Sequence, residues 1–354
     1  MSFRLLLLPI SLLYATVLKI RHALYDYGIL HTTEIDIPSI CIGNLELGGT
    51  GKTPLTEYIA KLLMGKRSVA IVSGGYKRKS KKTIIADKDT TLDELGDEAM
   101  QYHRKFGEQI RVAVGKNRAM VIERLKNQKP LPETIIFDDA LQHRKIKAGL
   151  NILTTNYSNP FYDNHLIPAG TLRDIKNRAC SADIIIVSKT PESATDKEKN
   201  LIRQKLSQYG NQSVYFASLA YGQPVACNIT AQGTTLDTNA KITCLCGIAQ
   251  PDYFIKHLET KYQVVEKIIF SDHHAFDEND IKRIKSKADS GKIIVTTEKD
   301  AMRLTNNPYF SELKDMLVYY IPIEVRFNAD EASRLDKEIM TYVTKNQQSG
   351  SFYT

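Results

Sequence analysis

The residues best equipped for chemistry lie in one turn. Gly48-Gly49-Thr50-Gly51-Lys52-Thr53 follows the apolar run Ile37-Pro38-Ser39-Ile40-Cys41-Ile42 and precedes an apolar-periodic stretch over about 54–63. A strand, a glycine-rich turn and a helix in that order form the setting of a phosphate-binding loop. Its glycines let backbone N–H groups curl around phosphate oxygens, and the helix N-terminus adds partial positive charge. In such a loop Lys52 reaches the β- and γ-phosphates and the Thr53 hydroxyl ligates Mg²⁺. The first glycine of the usual G-x-x-x-x-G-K-[ST] pattern falls on Glu46, with Gly43 before it and Gly48-Gly49 after. A glycine-rich turn that merely contains Lys-Thr is the plain alternative; the strand before it and the helix after it argue against that.

A second signal is Thr134-Ile135-Ile136-Phe137-Asp138-Asp139, an apolar strand ending in two acids. Carboxylates so placed hold Mg²⁺ or its water shell beside the phosphates. Strands also end in Asp for reasons of turn geometry, so the weight comes from finding both signals in one chain. Together they predict binding of a nucleoside triphosphate.

The elements that must position these residues follow from continuous apolar runs. Strands are predicted over 68–73, 133–137, 150–154 and 183–188, and their unbroken hydrophobicity suggests a parallel sheet covered on both faces. A stretch rich in Gly, Pro, Asn and Thr over 221–239 reads as a junction. Beyond it come strands over 241–246, 264–270, 292–297 and 316–321. Helices are predicted over 252–258 and 278–287, with a closing helix from 329 to about 344. The fold class is therefore α/β, P-loop NTPase-like, with a mostly parallel sheet, a smaller C-terminal α/β domain and an N-terminal membrane-associated helix. The expected division is an anchor helix at 1–24, a P-loop domain at 25–222, a linker at 223–239, a smaller α/β domain at 240–345 and a frayed tail at 346–354.

Composition narrows the class. At 354 residues the chain suits about two domains. Hydrophobic residues at 42% and charged residues at 25% exclude a disordered chain, a collagen and a polytopic membrane protein. Five cysteines without a Cys-x-x-Cys pair make neither a disulfide scaffold nor a zinc site, and a reducing compartment suits them. Forty-eight basic against 40 acidic residues leave a net charge of +8, which favours an anionic partner such as a nucleotide or a membrane surface. The densest basic run, Lys77-Arg78-Lys79-Ser80-Lys81-Lys82, has only Tyr76 beside it. Without interleaved aromatics it suits lipid headgroups or a solvated loop, not nucleic acid. Nothing in the sequence calls for an obligate protein partner.

Residues 5–18, LLLLPISLLYATVL, carry no charge and are flanked by Arg4 and by Lys19, Arg21 and His22. As a helix this run spans about 21 Å, short of the roughly 30 Å hydrocarbon core. No small-x-small cleavage site follows, which argues against a signal peptide. A buried core helix remains an alternative to an interfacial anchor whose basic flanks meet anionic headgroups.

The motifs in order then resemble a known family. Gly43-Asn44 before the P-loop, Gly96-Asp97-Glu98, Asp138-Asp139-Ala140-Leu141-Gln142-His143-Arg144 and Leu166-Ile167-Pro168-Ala169-Gly170-Thr171-Leu172-Arg173 come first. Asn177-Arg178-Ala179, Cys246-Gly247-Ile248-Ala249, Asp272-His273-His274-Ala275-Phe276 and Thr297-Glu298-Lys299-Asp300-Ala301 complete the series. The set resembles tetraacyldisaccharide 4'-kinase, the lipid A 4'-kinase of Gram-negative bacteria, over most of the chain. The resemblance implies transfer of the γ-phosphate of ATP to the 4'-hydroxyl of a tetraacylated glucosamine disaccharide 1-phosphate, forming lipid IVA. It also implies a monotopic protein of the inner membrane, with its catalytic domains on the cytoplasmic side and a cleft between two α/β domains.

Site roles follow from the resemblance. Asp97 matches the family's catalytic Asp, and a histidine of Asp272-His273-His274 its partner. Adjacent histidines point in different directions, and His273 is the expected one. On the residues alone, Asp97 also fits a helix N-cap and the histidines a metal pair or a packed turn. Lys52, Asp138 and Asp139 complete the catalytic set, with Thr53, Asp138 and Asp139 as metal ligands. Gly48 to Thr53 and Gln142 are expected at the nucleotide, and Asn44, Arg118, Arg173 and His274 at the acceptor. Gln142 and His143 also suit supporting roles, and Arg118 and Arg173 either clamp phosphate or sit solvated. Glu298-Lys299-Asp300 follows a predicted strand, so it faces the ligand crevice or forms a capped turn. Three positions depart from the family pattern: Ser73-Gly74-Gly75-Tyr76 lacks the Arg of Ser-Arg-Gly-Tyr, Ala140-Leu141 replaces Gly-Phe, and Ala99 replaces Pro. Any phosphate contact made by the missing Arg is either lost or supplied by Lys77 or Arg78. Two other classes share the P-loop, a nucleotide-hydrolysing switch and a non-catalytic membrane-docked sensor. The switch would want an Asn-Lys-x-Asp after a strand, which Val187-Ser188-Lys189-Thr190 does not supply.

Overall fold

The computed structural model describes residues 6–288 and 292–350, with side chains to residue 346. Two sheets organise the chain. The larger has eight strands: β1 (Ser39–Asn44), β2 (Val69–Ser73), β3 (Ile84–Ile85), β4 (Ile110–Val114), β5 (Thr134–Asp138), β6 (Leu150–Asn156), β7 (Ile184–Ser188) and β8 (Ser213–Phe216). Their order is β8-β7-β6-β1-β5-β2-β4-β3, and every pairing is parallel except that of edge strand β3. Strands β1, β2, β5 and β7 are buried at every position, as their unbroken Ile/Val runs require of a sheet covered on both faces. The smaller sheet runs β9-β13-β12-β10-β11, formed by β9 (Val225–Ala226), β10 (Lys241–Cys246), β11 (Gln263–Ile269), β12 (Ile293–Thr297) and β13 (Leu317–Ile321).

The helices that matter for the site are α1 (Leu8–Asp26), α2 (Lys52–Leu63), α3 (Asp97–Phe106), α4 (Arg118–Lys126), α5 (Asp196–Leu206), α6 (Pro251–Glu259), α7 (Glu278–Ala288), α8 (Glu298–Thr305) and α9 (Ala329–Gly350). Several starts are encoded locally. Asn117 accepts from the Met120 N–H, Thr195 forms a capping box with Glu198, and Thr297 accepts from the Asp300 N–H.

Two expectations about organisation differ from the fold. The closing helix α9, expected in the smaller domain, packs on the large sheet. Leu335, Ile339 and Val343 share one core with Ile40, Ile152 and Ile184. The Tyr342 hydroxyl donates to the Ser39 carbonyl at 3.0 Å, and the Tyr58 hydroxyl donates to Asp336 at 2.7 Å. Residues Ile323–Arg326 first turn the chain back by pairing antiparallel with Ser218–Tyr221. The helical period announces an apolar stripe but does not say which sheet it will cover. The stretch expected as a linker, in turn, supplies edge strand β9, paired antiparallel with β13. Helix α9 also extends to Gly350, through the first residues of the tail expected to fray; residues 351–354 lie outside the described residues, as do the first five of the expected anchor.

Helix α1 lies along the larger lobe. Ser11 donates to the Leu166 carbonyl at 2.9 Å, Tyr14 to the Arg173 carbonyl at 3.0 Å, and the His22 ring meets Asp174 at 2.7 Å. Its other side exposes Leu6, Ile10, Leu13, Val17 and Ile20, spaced by three and four residues as one continuous apolar stripe. Among the described residues no helix is long and apolar enough to cross a membrane.

Candidate active site

The site sits where the carboxyl ends of β1, β2, β5 and β7 open, at the point where chain order reverses across β1. After β1 the turn takes Gly48, Gly49 and Gly51 through φ of +71°, +63° and +76°, a left-handed path that side chains resist. Helix α2 then begins at Lys52 with Gly51 as its N-cap, so its first N–H groups have no helical acceptor and face the turn. Two hydroxyls pin the turn to the sheet. Thr50 meets Thr154 at 2.9 Å, and Ser188 donates to the Thr50 carbonyl at 2.9 Å. Lys52 donates to Asn44 Oδ1 at 3.1 Å and lies 3.6 Å from Asp139. Thr53 follows, buried in the first turn of α2.

Asp138 and Asp139 end β5 beside this turn. Tyr102 donates to Asp138 Oδ2 at 3.1 Å, while Asp138 Oδ1 is buried without a partner. Burial, then the charges of Glu98 and Asp139, push Asp138 up to about 7. Asp139 takes the left-handed φ of +54° and accepts both terminal nitrogens of Arg173. Burial would raise its carboxyl, but Lys52 and Arg173 outweigh that and hold it below the usual range. Such backbone strain in a non-glycine residue is typical of functional turns.

Asp97 opens helix α3. Gly96 at φ +82° is the N-cap, so the Asp97 carboxylate is free of the capping role the sequence also allowed. Its partners come from the smaller lobe: His273 Nδ1 at 2.8 Å and Arg303 Nε at 3.1 Å, both on Oδ2. Oδ1 makes neither contact. Burial would raise Asp97, but the His273 hydrogen bond and the Arg303, His273 and Lys299 charges prevail and keep it below the ordinary value. His273 adopts φ +58°, and the Tyr76 ring meets its imidazole edge-on at 5.3 Å.

Other expected residues are placed differently. His274 is not brought to the cluster: its Nε2 meets Asp280 at 2.7 Å and its ring stacks on Phe270. Gln142 donates to the Asn44 carbonyl at 2.7 Å and so braces the end of β1. Arg173 is engaged by Asp139 and Asn44. Neither Lys77 nor Arg78 fills the gap at Gly74. Arg78 folds over Gly75 and donates to the Glu94 carbonyl at 3.2 Å. The buried Arg118 takes that space instead: a β-carbon on Gly74 would lie 3.0 Å from its Nη2.

Glu98 and Arg303, to which the sequence assigned no role, and Lys299, expected only to face the crevice, join the cluster around Asp97. Lys299 donates to Glu98 at 2.6 Å across the lobes, and that charge leads in lowering the Glu98 carboxyl. Glu298-Lys299-Asp300 was legible as a crevice-facing segment; its contact with α3 was not. One cavity adjoins the cluster and a second lies beside α1. One of about 1460 Å³ opens on Asp97, His273 and Arg303, with Lys77, Arg78 and Lys79 at its wall. One of about 340 Å³ lies between α1 and the loops around 117 and 144. It is lined by Arg21, Tyr25, Lys116 to Ala119 and His143 to Ile146, with no acid. There burial, then Arg118, lower His143 to about 4 and keep it neutral.

The arrangement can grip a triphosphate at 48–53, place carboxylates beside its outer phosphate and present a base from α3. The chain is similar to known proteins along nearly its whole length. The family model for Tetraacyldisaccharide-1-P 4'-kinase matches residues 3–341. A tetraacyldisaccharide 4'-kinase of Bacteroides thetaiotaomicron is 39% identical, over 98% of this chain and 95% of its own length. One of Flavobacterium psychrophilum is 40% identical, over 97% and 98%. The crystal structure of LpxK from Aquifex aeolicus in complex with ATP superposes with a TM-score of 0.74 at 26% identity, covering 97% of this chain and 99% of that one.

Proposed function

The chain belongs to the tetraacyldisaccharide 4'-kinase family, and from that premise we propose that the cluster above is where it transfers phosphate. The enzyme is an ATP-dependent kinase that moves the γ-phosphoryl group onto the 4'-hydroxyl of a tetraacylated glucosamine disaccharide 1-phosphate, forming lipid IVA. The observation that carries the assignment of residues is the grouping of the 48–53 turn, Asp138-Asp139 beside Lys52, and the Asp97–His273 pair, whose helix joins them through Tyr102 on Asp138 and through Glu98, which feels the charges of Lys52 and Asp139.

Phosphoryl transfer needs positioning and charge stabilisation more than covalent chemistry. The turn N–H groups and Lys52 hold the β- and γ-phosphates, and Lys52 follows charge onto the leaving oxygen. Asp97 Oδ1, free of the His273 and Arg303 contacts, accepts the 4'-hydroxyl proton as the new O–P bond forms and the γ-phosphorus bond to ADP breaks. His273 and Arg303 hold that carboxylate in place.

The acids fit a magnesium ion. The orphaned Asp138 Oδ1, Asp139 and the Thr53 hydroxyl are hard oxygen donors. Among the described residues no three acidic, histidine or cysteine side chains converge tightly enough to hold a metal alone, which suits an ion completed by phosphate oxygens. Bound there, it would neutralise phosphate charge.

The cavity beside α1, lined by five basic side chains and no acid, suits the acceptor's 1-phosphate. Lys116→Ala with Lys145→Ala is expected to raise the lipid KM about a hundredfold, about tenfold for each charge-assisted hydrogen bond lost, with the KM for ATP unchanged. A parallel rise in both KM values would move the acceptor elsewhere.

The outward stripe of α1 supports docking on an anionic, cytoplasm-facing inner membrane surface, with Lys19 and Arg21 near the headgroups. Each buried Leu or Ile contributes about 1.5–3 kcal/mol. Leu13→Asp with Val17→Asp should therefore shift the protein from vesicle pellets to supernatant without lowering its melting temperature. Unchanged co-sedimentation would place the docking surface elsewhere.

Single-turnover reaction with γ-labelled ATP and a short-chain disaccharide lipid tests the whole reading. Label is expected in the lipid. Label appearing only as free phosphate, or ATP bound without reaction, would support a hydrolytic switch or a sensor.

A further inference from the structure

One buried charge cluster lies outside the reacting groups yet touches the three helices that carry them. Lys105, on α3, donates to Glu57 of α2 at 2.6 Å and to both oxygens of Glu298 of α8, at 3.0 and 3.3 Å. Gln101, one turn earlier on α3, donates to the other Glu57 oxygen at 2.8 Å. Glu57 and Glu298 are both buried, so one ammonium serves two enclosed carboxylates.

The placement matters more than the pairing. Helix α2 begins with Lys52 and Thr53, α3 begins with Asp97, and α8 carries Lys299 and Arg303. Asp97, Gln101 and Lys105 follow at intervals of four, along one side of α3. Contacts between α3 and α8 therefore form a ladder: Asp97 with Arg303, Glu98 with Lys299, and Lys105 with Glu298. The last rung is also hydrogen-bonded to the P-loop helix, through Glu57.

We propose that Lys105 is a positioning residue for phosphoryl transfer: it fixes α3 against both the P-loop helix and α8, and thereby sets where Asp97 stands relative to Lys52. The inference rests on the reading of Asp97 as the base. A lysine with a single surface carboxylate would tolerate sliding; one held by two buried carboxylates on two helices does not.

The test compares Lys105→Met, Lys105→Arg and Asp97→Asn in the full-length enzyme, measuring kcat, nucleotide Kd and melting temperature. Lys105→Met is expected to lower kcat about tenfold or more while ATP Kd stays within about twofold, and Lys105→Arg to recover most of the loss. In an Asp97→Asn background Lys105→Met should add no further loss, since both act through one carboxylate. Unchanged kcat in Lys105→Met, or losses that multiply in the double variant, would overturn the proposal. If Asp97→Asn alone keeps full turnover, the assignment of the base fails instead, whatever Lys105 does. Should Lys105→Met not fold, Glu57→Gln with Lys105→Met removes one of the stranded charges. A folded, slow enzyme then supports the role, and a folded enzyme with full turnover refutes it.

Discussion

Lys52→Met is expected to abolish phosphoryl transfer, with kcat falling about a thousandfold or more. The ammonium is the first side-chain charge after the turn, 3.1 Å from Asn44 Oδ1 and 3.6 Å from Asp139, so it stands at the phosphate end of the site. Charge develops on the leaving oxygen during transfer, and removing one preorganised donor from an enclosed site costs about 10²–10³ in rate. A full positive charge counts for more than a neutral donor. The fold should survive, because Arg173 remains on Asp139 and the turn is pinned by Thr50, Thr154 and Ser188. ATP affinity should fall less than kcat, since the backbone N–H groups are untouched. Single-turnover kinetics with a nucleotide-binding isotherm decide the matter, and a variant retaining a tenth of normal turnover would take Lys52 off the γ-phosphate.

Asp97→Asn is expected to cut kcat by about 10²–10⁴, the range for a positioned base, with ATP Kd nearly constant. Asparagine keeps the shape and the His273 contact but cannot take a proton. The pH profile adds a sharper signature. Despite its burial, Asp97 is held below its ordinary value by His273, Arg303 and Lys299. The carboxylate is therefore charged at neutral pH, and its share of kcat/KM is lost only as pH falls through that lowered value. Its contribution to stability has the same sign: present above the unfolded carboxyl value and lost on acidification. Arg303→Gln removes one of the charges that lower it, so the acid limb should move to higher pH. A profile that stays in place in Arg303→Gln would mean that another group sets that limb.

These two variants also separate what was legible in the sequence from what was not. Lys52 was readable because a phosphate-binding turn is local: glycines at positive φ, a strand before and a helix after all lie within some 25 residues. The same holds for Asp138-Asp139 at a strand end. Asp97 could be named, but its helix-capping alternative was resolved only by Gly96 taking the N-cap position. The ordered motifs identified the family, and the ATP-bound structure of similar fold agrees with it.

Contacts between distant segments were another matter. Asp97 and His273 are 176 residues apart, and Lys52 and Asn44 only eight. His273 was the expected member of its pair; its ring meets Asp97 from a backbone at φ +58°, while its neighbour goes to Asp280. The space over Gly74 was allotted to the nearest basic residues in the chain, yet Arg118 fills it from another helix. Helix α9 was expected within the smaller domain and packs on the large sheet instead, because an apolar stripe carries no address.

Residue order by itself determined the phosphate turn, the strand-end acids, the α/β class and the apolar N-terminal helix, since each depends on neighbours along the chain or on a short period. Only the tertiary structure decided that Arg303 joins His273 on Asp97, that Lys299 crosses to Glu98, and that Lys105 ties three helices. Those pairings depend on how two sheets and their helices pack, which is set by many apolar contacts at once and by no local pattern.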